Sequence, residues 1–127
     1  MPKRRIQTDN APQPGGTYSQ AIEVDGWIYV AGQVPIDPAT GEFVEADIKV
    51  QTDRVLKSLQ AIVEAGGATI QDVVKTTVFL ADLSEFGEMN EVYGQYFSGE
   101  MPPARATVEV AALPKGCKIE IDAVAKK

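Results

Sequence analysis

The chain has 127 residues, enough for one domain over residues 1–127 that buries roughly two thirds of its unfolded surface. Twelve basic residues against eighteen acidic ones give a net charge of −6, which disfavours nucleic acid as a partner. Histidine is absent and Cys117 is the only cysteine, which excludes intrachain disulfides, imidazole or multi-thiolate zinc sites, and nucleophiles activated by histidine.

Lys3, Arg4 and Arg5 open the chain, but no apolar stretch follows them and no run is long enough to span a membrane, so a soluble, cytoplasmic protein is expected. Residues 4–7 are compatible with a short first strand. The Pro/Gly-rich stretch Asn10–Gly16 and the turn-like Ile36–Glu42 punctuate the first third of the chain. Between them lie two strand candidates, Tyr18–Val24 and Trp27–Val34, joined only by Asp25 and Gly26. An Asp-Gly pair between such runs is the sequence mark of a β-hairpin.

From Asp47 to Ala65 the apolar Val55, Leu59, Ile62 and Val63 recur at helical intervals, and Gly66 and Gly67 follow where a helix ends. The β-branched segment Val73–Leu83 reads as a buried strand, with Asp82–Ser84 placed to cap a second helix. That helix carries Phe86, Met89, Val92, Tyr93, Tyr96 and Phe97 at helical spacing. Two last strands, Ala104–Ala111 and Cys117–Ala125, flank a turn at Pro114 and Gly116. The order ββαβαββ predicts an α+β fold with helices on one face of a sheet, and adjacency alone makes the last two strands a hairpin.

Strand alternation puts Arg105, Thr107 and Glu109 on one side of the penultimate strand, and Lys118, Glu120 and Asp122 on one side of the last. The two polar stripes are expected on the sheet face away from the helices. By pattern alone they read as solvated surface with cross-strand ion pairs, Arg105 with Glu120 or Asp122, and no site is found. Cys117 falls on the opposite side from Glu120, which reads as core.

The segments YSQAI, AGQVPIDPATGE, VVKTTVFLADL, NEVYGQYF and PPARATVEVAALPKGCKIEIDAVA resemble, in that order, the Rid (YjgF) family of enamine/imine deaminases. The likeness runs from Ala11 to Ala125, and its most specific part is Pro-Ala-Arg followed by Ile-Glu-Ile. It implies a chorismate-mutase-like fold, with a mixed six-stranded sheet and two helices on one face. The strand near Val74–Ala81 then lies between the last two, and the second helix crosses over between parallel neighbours. The family assembles as homotrimers with clefts between subunits.

The resemblance also assigns roles. Arg105 matches the arginine that binds the substrate carboxylate, a task suited to a planar fork whose charge-assisted bonds are each worth roughly 1.5 to 3 kcal/mol. Glu120 matches the glutamate near the reacting carbon, able to orient water and move protons. Gly32 matches a glycine that lets substrate approach the backbone, though a strand glycine also reads as a β-bulge and both can hold. Tyr18 matches an aromatic that covers the ligand, with plain packing as the alternative, and Asn90 a cleft residue, where a helix-face amide is otherwise structural. Thr107 stands where many deaminases carry cysteine, and Ala31 where they carry serine. Thr107 is thus a substrate contact without a thiolate, and covalent sulfur catalysis is excluded there.

The implied activity is that of a 2-iminobutanoate/2-iminopropanoate deaminase. It hydrolyses the reactive 2-aminoacrylate and 2-aminocrotonate to 2-keto acids and ammonia, without metal or organic cofactor. Two alternatives are a non-catalytic 2-keto acid binding or regulatory protein and, less favoured for an acidic chain without histidine, an endoribonuclease or translation inhibitor.

Overall fold

The computed structural model describes residues 2–127. Ten elements follow in chain order: β1 (Arg4–Ile6), β2 (Ala21–Val24), β3 (Trp27–Gln33), β4 (Ile36–Asp37), β5 (Glu42–Phe43), α1 (Ile48–Ala65), β6 (Val73–Leu80), α2 (Phe86–Tyr96), β7 (Ala104–Glu109) and β8 (Ile119–Lys126). Six strands form one sheet in the order β1-β2-β3-β8-β6-β7, while β4 and β5 make a separate ribbon out of the turn-like stretch after β3.

The β2–β3 hairpin is closed by Asp25 and Gly26, both left-handed at φ 54° and 81°. Such a turn matches the twist of the strands it joins, which is why the dipeptide is legible in the sequence. β2 starts only at Ala21. The preceding Gln20 is buried and its amide ties down the irregular N-terminal segment, accepting from the Thr8 N–H at 2.8 Å and donating to the Pro12 carbonyl at 2.9 Å.

Asp47 is the N-cap of α1, its Oδ1 accepting from the Val50 N–H at 3.0 Å. Gly66 caps the other end and Gly67 continues in the left-handed region. The stripe of Val55, Leu56, Leu59, Ile62 and Val63 is completely buried. It meets Ile28 and Val30 of β3, Val78 and Leu80 of β6, and Ile119 and Ile121 of β8 in one apolar core that also takes in Met89, Val92 and Tyr93 of α2. Asp82 caps a short 3₁₀ turn, Leu83–Glu85, from which α2 runs on directly.

The last two strands are not a hairpin. β6 lies between them, antiparallel to β8 and parallel to β7, as the family resemblance implies. Parallel partners need a crossover connection, and α2 provides it. Among the described residues no helix is long and apolar enough to cross a membrane. The face away from the helices exposes Trp27, Tyr29 and Val108 at 39%, 50% and 42%.

Candidate active site

Arg105 sits on the edge strand β7, and the register of its neighbour fixes which way it points. Arg105 pairs with Thr76 and Thr107 with Val78, and both β6 residues are completely buried on the helix side. Arg105 and Thr107 therefore face α2. The expectation that both polar stripes share the open face is corrected here. Phase within a strand is readable from sequence, but phase between β7 and β8 is set by pairing through β6.

On that side α2 holds the guanidinium from three positions on one of its faces. Arg105 Nη1 donates to Asn90 Oδ1 at 2.7 Å, and its central carbon stands 4.7 Å from the Tyr93 ring centre and 5.2 Å from that of Phe86. Cation–π attraction and a planar hydrogen bond together fix the plane of the fork. Tyr93 is fixed in turn, its hydroxyl bonding the buried Thr76 hydroxyl at 2.7 Å and its ring packing on Phe97 at 4.6 Å. Burial raises the Tyr93 pKa, so the phenol stays neutral.

No ion pair reaches Arg105 among the described residues, with Glu120, Asp122 or any other acid. Its cleft, about 390 Å³, is shared with Asn90, Tyr93, Phe97, Pro102 and Pro103. Thr107 Oγ1 is buried beside it without a hydrogen-bond partner among the described residues. A half-buried cation with no counter-ion can take an anion.

Glu120 occupies the other face. It pairs with Phe79, which alternates with the helix-facing Val78 and Leu80. Its carboxyl opens on a cavity of about 590 Å³ bounded by Tyr18, Gly32, Ile36, Phe43 and Pro114. Burial raises the Glu120 pKa, and the negative charge of Asp122, two residues along the same face, raises it further. Tyr18 is 56% exposed at the rim, its hydroxyl accepting from the Gly15 N–H at 3.2 Å.

The register of β3 against β8 slips between Val30 and Gln33, a bulge at Ala31 and Gly32. The space that a side chain on Gly32 would need is taken by Glu120 itself. Ala31 contributes its backbone, the N–H donating to the Gln20 carbonyl at 2.9 Å and the carbonyl accepting from Gln33 Nε2 at 3.0 Å. Cys117 is buried ahead of β8 rather than within the strand expected to hold it, and burial raises its thiol pKa. Among the described residues no group of three His, Cys, Asp or Glu side chains is gathered to hold a metal.

The structure thus joins Arg105 and Asn90 in one cleft, with the Thr107 hydroxyl buried two residues along the same strand face, and Tyr18, Gly32 and Glu120 in another, and separates the two groups by the sheet. Sequence reasoning left Phe86, Tyr93 and Thr76 as core or strand positions. The spacing of Phe86, Asn90 and Tyr93 along one helix face was the available signal, but it needs β7 beside α2 to acquire meaning.

A mixed sheet backed by two helices, with a clamped arginine and a partly buried carboxylate at separate clefts, defines a small α+β protein with two candidate small-molecule clefts. The chain belongs to the Rid (YjgF) family. Residues 8–127 match the family model described as "Endoribonuclease L-PSP". A RutC family protein of Pyrococcus abyssi is 57% identical over 127 residues, covering 100% of this chain and 99% of the relative. The mouse protein named 2-iminobutanoate/2-iminopropanoate deaminase is 46% identical over 123 residues, 97% of this chain and 90% of the relative.

Among solved structures, a Rid family protein of Yersinia pestis aligns with a TM-score of 0.96 at 46% identity, covering 99% of this chain and 100% of its own. The E. coli protein TdcF, solved with bound serine, aligns at 0.93 and 40% identity, covering 98% of both chains.

Proposed function

We propose that this protein is a 2-iminobutanoate/2-iminopropanoate deaminase that acts as a homotrimer in the cytoplasm, with each site formed between subunits. The observation that carries the reading is the uncompensated Arg105 guanidinium, held flat by Phe86, Asn90 and Tyr93 beside the free Thr107 hydroxyl. That arrangement suits a carboxylate. The serine bound to the E. coli relative is a small molecule of this kind, and the mouse relative carries the deaminase name.

In the proposed reaction, 2-aminoacrylate or 2-aminocrotonate, released by pyridoxal-phosphate enzymes, tautomerises to a 2-imino acid. Arg105 holds its carboxylate, with Asn90 fixing the guanidinium and Thr107 bonding the substrate. Glu120, brought by a neighbouring subunit, takes a proton from water as the water oxygen bonds to the imine carbon. The same carboxyl returns that proton to nitrogen, giving a carbinolamine. It then takes the carbinolamine hydroxyl proton and delivers it to nitrogen as the carbon–oxygen double bond forms and the carbon–nitrogen bond breaks, leaving a 2-keto acid and ammonia. A carboxyl whose pKa is raised is better matched to both transfers near neutral pH. Gly32 and Tyr18 border this half of the site. No cofactor enters the scheme, because imines hydrolyse unaided and need mainly orientation and proton transfer.

The test is ammonia release from freshly generated 2-iminopropanoate, alongside calorimetric binding of pyruvate or 2-ketobutyrate. Glu120→Gln should retain keto acid affinity and lose roughly 10²-fold or more in deamination. Binding without turnover in the parent would leave a keto acid sensor. RNA cleavage that falls with Arg105→Lys would instead favour the activity in the family model's description, against the chain's −6 charge and lack of histidine.

A further inference from the structure

Gly32 lies inside a strand, where glycine is unfavourable, and its backbone does not require it. The left-handed glycines are 26, 41, 67 and 116, so residue 32 is glycine for space alone. In strict alternation with Ile28 and Val30, residue 32 would point at the helices. The bulge between Val30 and Gln33 turns it to the open face instead, where β8 presents Glu120. A Cβ on Gly32 would overlap Glu120 Oε2, and would lie 2.9 Å from Cδ and 3.2 Å from Cγ. The groove left by the missing side chain is filled by Glu120 along its length.

We propose that Gly32 is a positioning residue: the bulge and the absent side chain form a seat that holds the Glu120 carboxylate against the β3 backbone, facing the cavity with Tyr18 and Phe43. A glutamate on an open sheet face would otherwise spread its carboxylate over many rotamers, and catalysis by proton transfer needs one. Position 32 therefore acts through Glu120 as well as by bordering the cavity. The effect on turnover rests on the deaminase reading, whereas the seat itself is a competition of two side chains for one volume.

Gly32→Ala, Glu120→Ala and the double variant separate these roles. Gly32→Ala should fold, since the overlap is with the free end of a flexible chain, and its crystal structure should show the carboxylate displaced. Its ammonia release should fall to within about threefold of Glu120→Ala, and adding Gly32→Ala to Glu120→Ala should cost nothing more. Parental activity in Gly32→Ala, or a further loss in the double variant comparable to the single one, overturns the proposal. If Gly32→Ala does not fold, the double variant decides: a folded protein supports competition for the space and an unfolded one overturns it. A parent that releases no ammonia removes the deaminase reading alone. The seat then stands or falls on whether the Glu120 carboxylate has moved in the Gly32→Ala crystal structure.

Discussion

At Arg105 a positive charge is placed on an edge strand and then built around rather than paired. Replacing it by lysine removes the fork that Asn90 and the Tyr93 ring orient, leaving one point charge on a flexible stem. Arg105→Lys should keep the fold while kcat/KM for imine hydrolysis falls roughly 10- to 100-fold, the worth of one charge-assisted hydrogen bond. Steady-state kinetics and circular dichroism on one sample check both halves. Behind the arginine, the Thr76–Tyr93 hydroxyl pair at 2.7 Å is buried, so removing one member strands the other. Tyr93→Phe or Thr76→Val alone should cost about 1–3 kcal/mol in urea unfolding, and the double variant less than the sum of the two, because no unpaired hydroxyl remains. Additive losses would mean that the two hydroxyls contribute independently.

The helices are joined by a polar contact that makes their packing sensitive to pH. Tyr96 of α2 donates to Asp53 Oδ1 of α1 at 2.5 Å, and Lys57 pairs with Oδ2 at 2.9 Å. Burial raises the Asp53 pKa, but these two partners outweigh it and hold the carboxyl below its ordinary value. A depressed carboxyl stabilises the fold above the usual carboxylate range, and that contribution is lost as pH falls through the depressed value. Tyr96→Phe should therefore destabilise by about 1–2 kcal/mol at pH 7, with the gap to the parent closing in acid. Denaturant titrations at neutral pH and near pH 3 check this. Elements whose cause is local were legible: Asp47 and Gly66 bound α1, and Asp25-Gly26 closes the hairpin. The insertion of β6 between β7 and β8 was not, because it depends on a non-local parallel pairing that adjacency argues against and that only the family resemblance supplied. The bulge at Ala31 and Gly32 was signalled by a glycine inside a strand pattern, but its register was hidden, since it needs a partner strand to slip against. For the same reason alternation found the right stripes for Arg105 and Glu120 yet placed them on one face. Their relative phase lies in the pairing of both strands with β6.

For the whole molecule, that phase has a consequence: with Arg105 on the helix side of the sheet and Glu120 on the open side, one chain does not assemble a site that contains both. If the proposed chemistry needs the pair, Arg105 comes from one subunit and Glu120 from another. The open face also exposes Trp27, Tyr29 and Val108, apolar surface that association would cover. The parent should sediment as a trimer of about 41 kDa from chains of 13.7 kDa. Mixing then tests the shared site more sharply than mass does. Arg105→Ala and Glu120→Ala should each be nearly inactive alone, whereas equal amounts co-folded should regain about one quarter of parental activity per site, because a site is intact when each neighbour contributes its unmutated half. A monomeric parent, or a co-folded trimer with no recovery, would place both residues' work within single chains and remove the intersubunit site. Recovery near one quarter would tie the clamp on α2 and the carboxylate on β8 to one reaction, although the sheet keeps them apart in every chain.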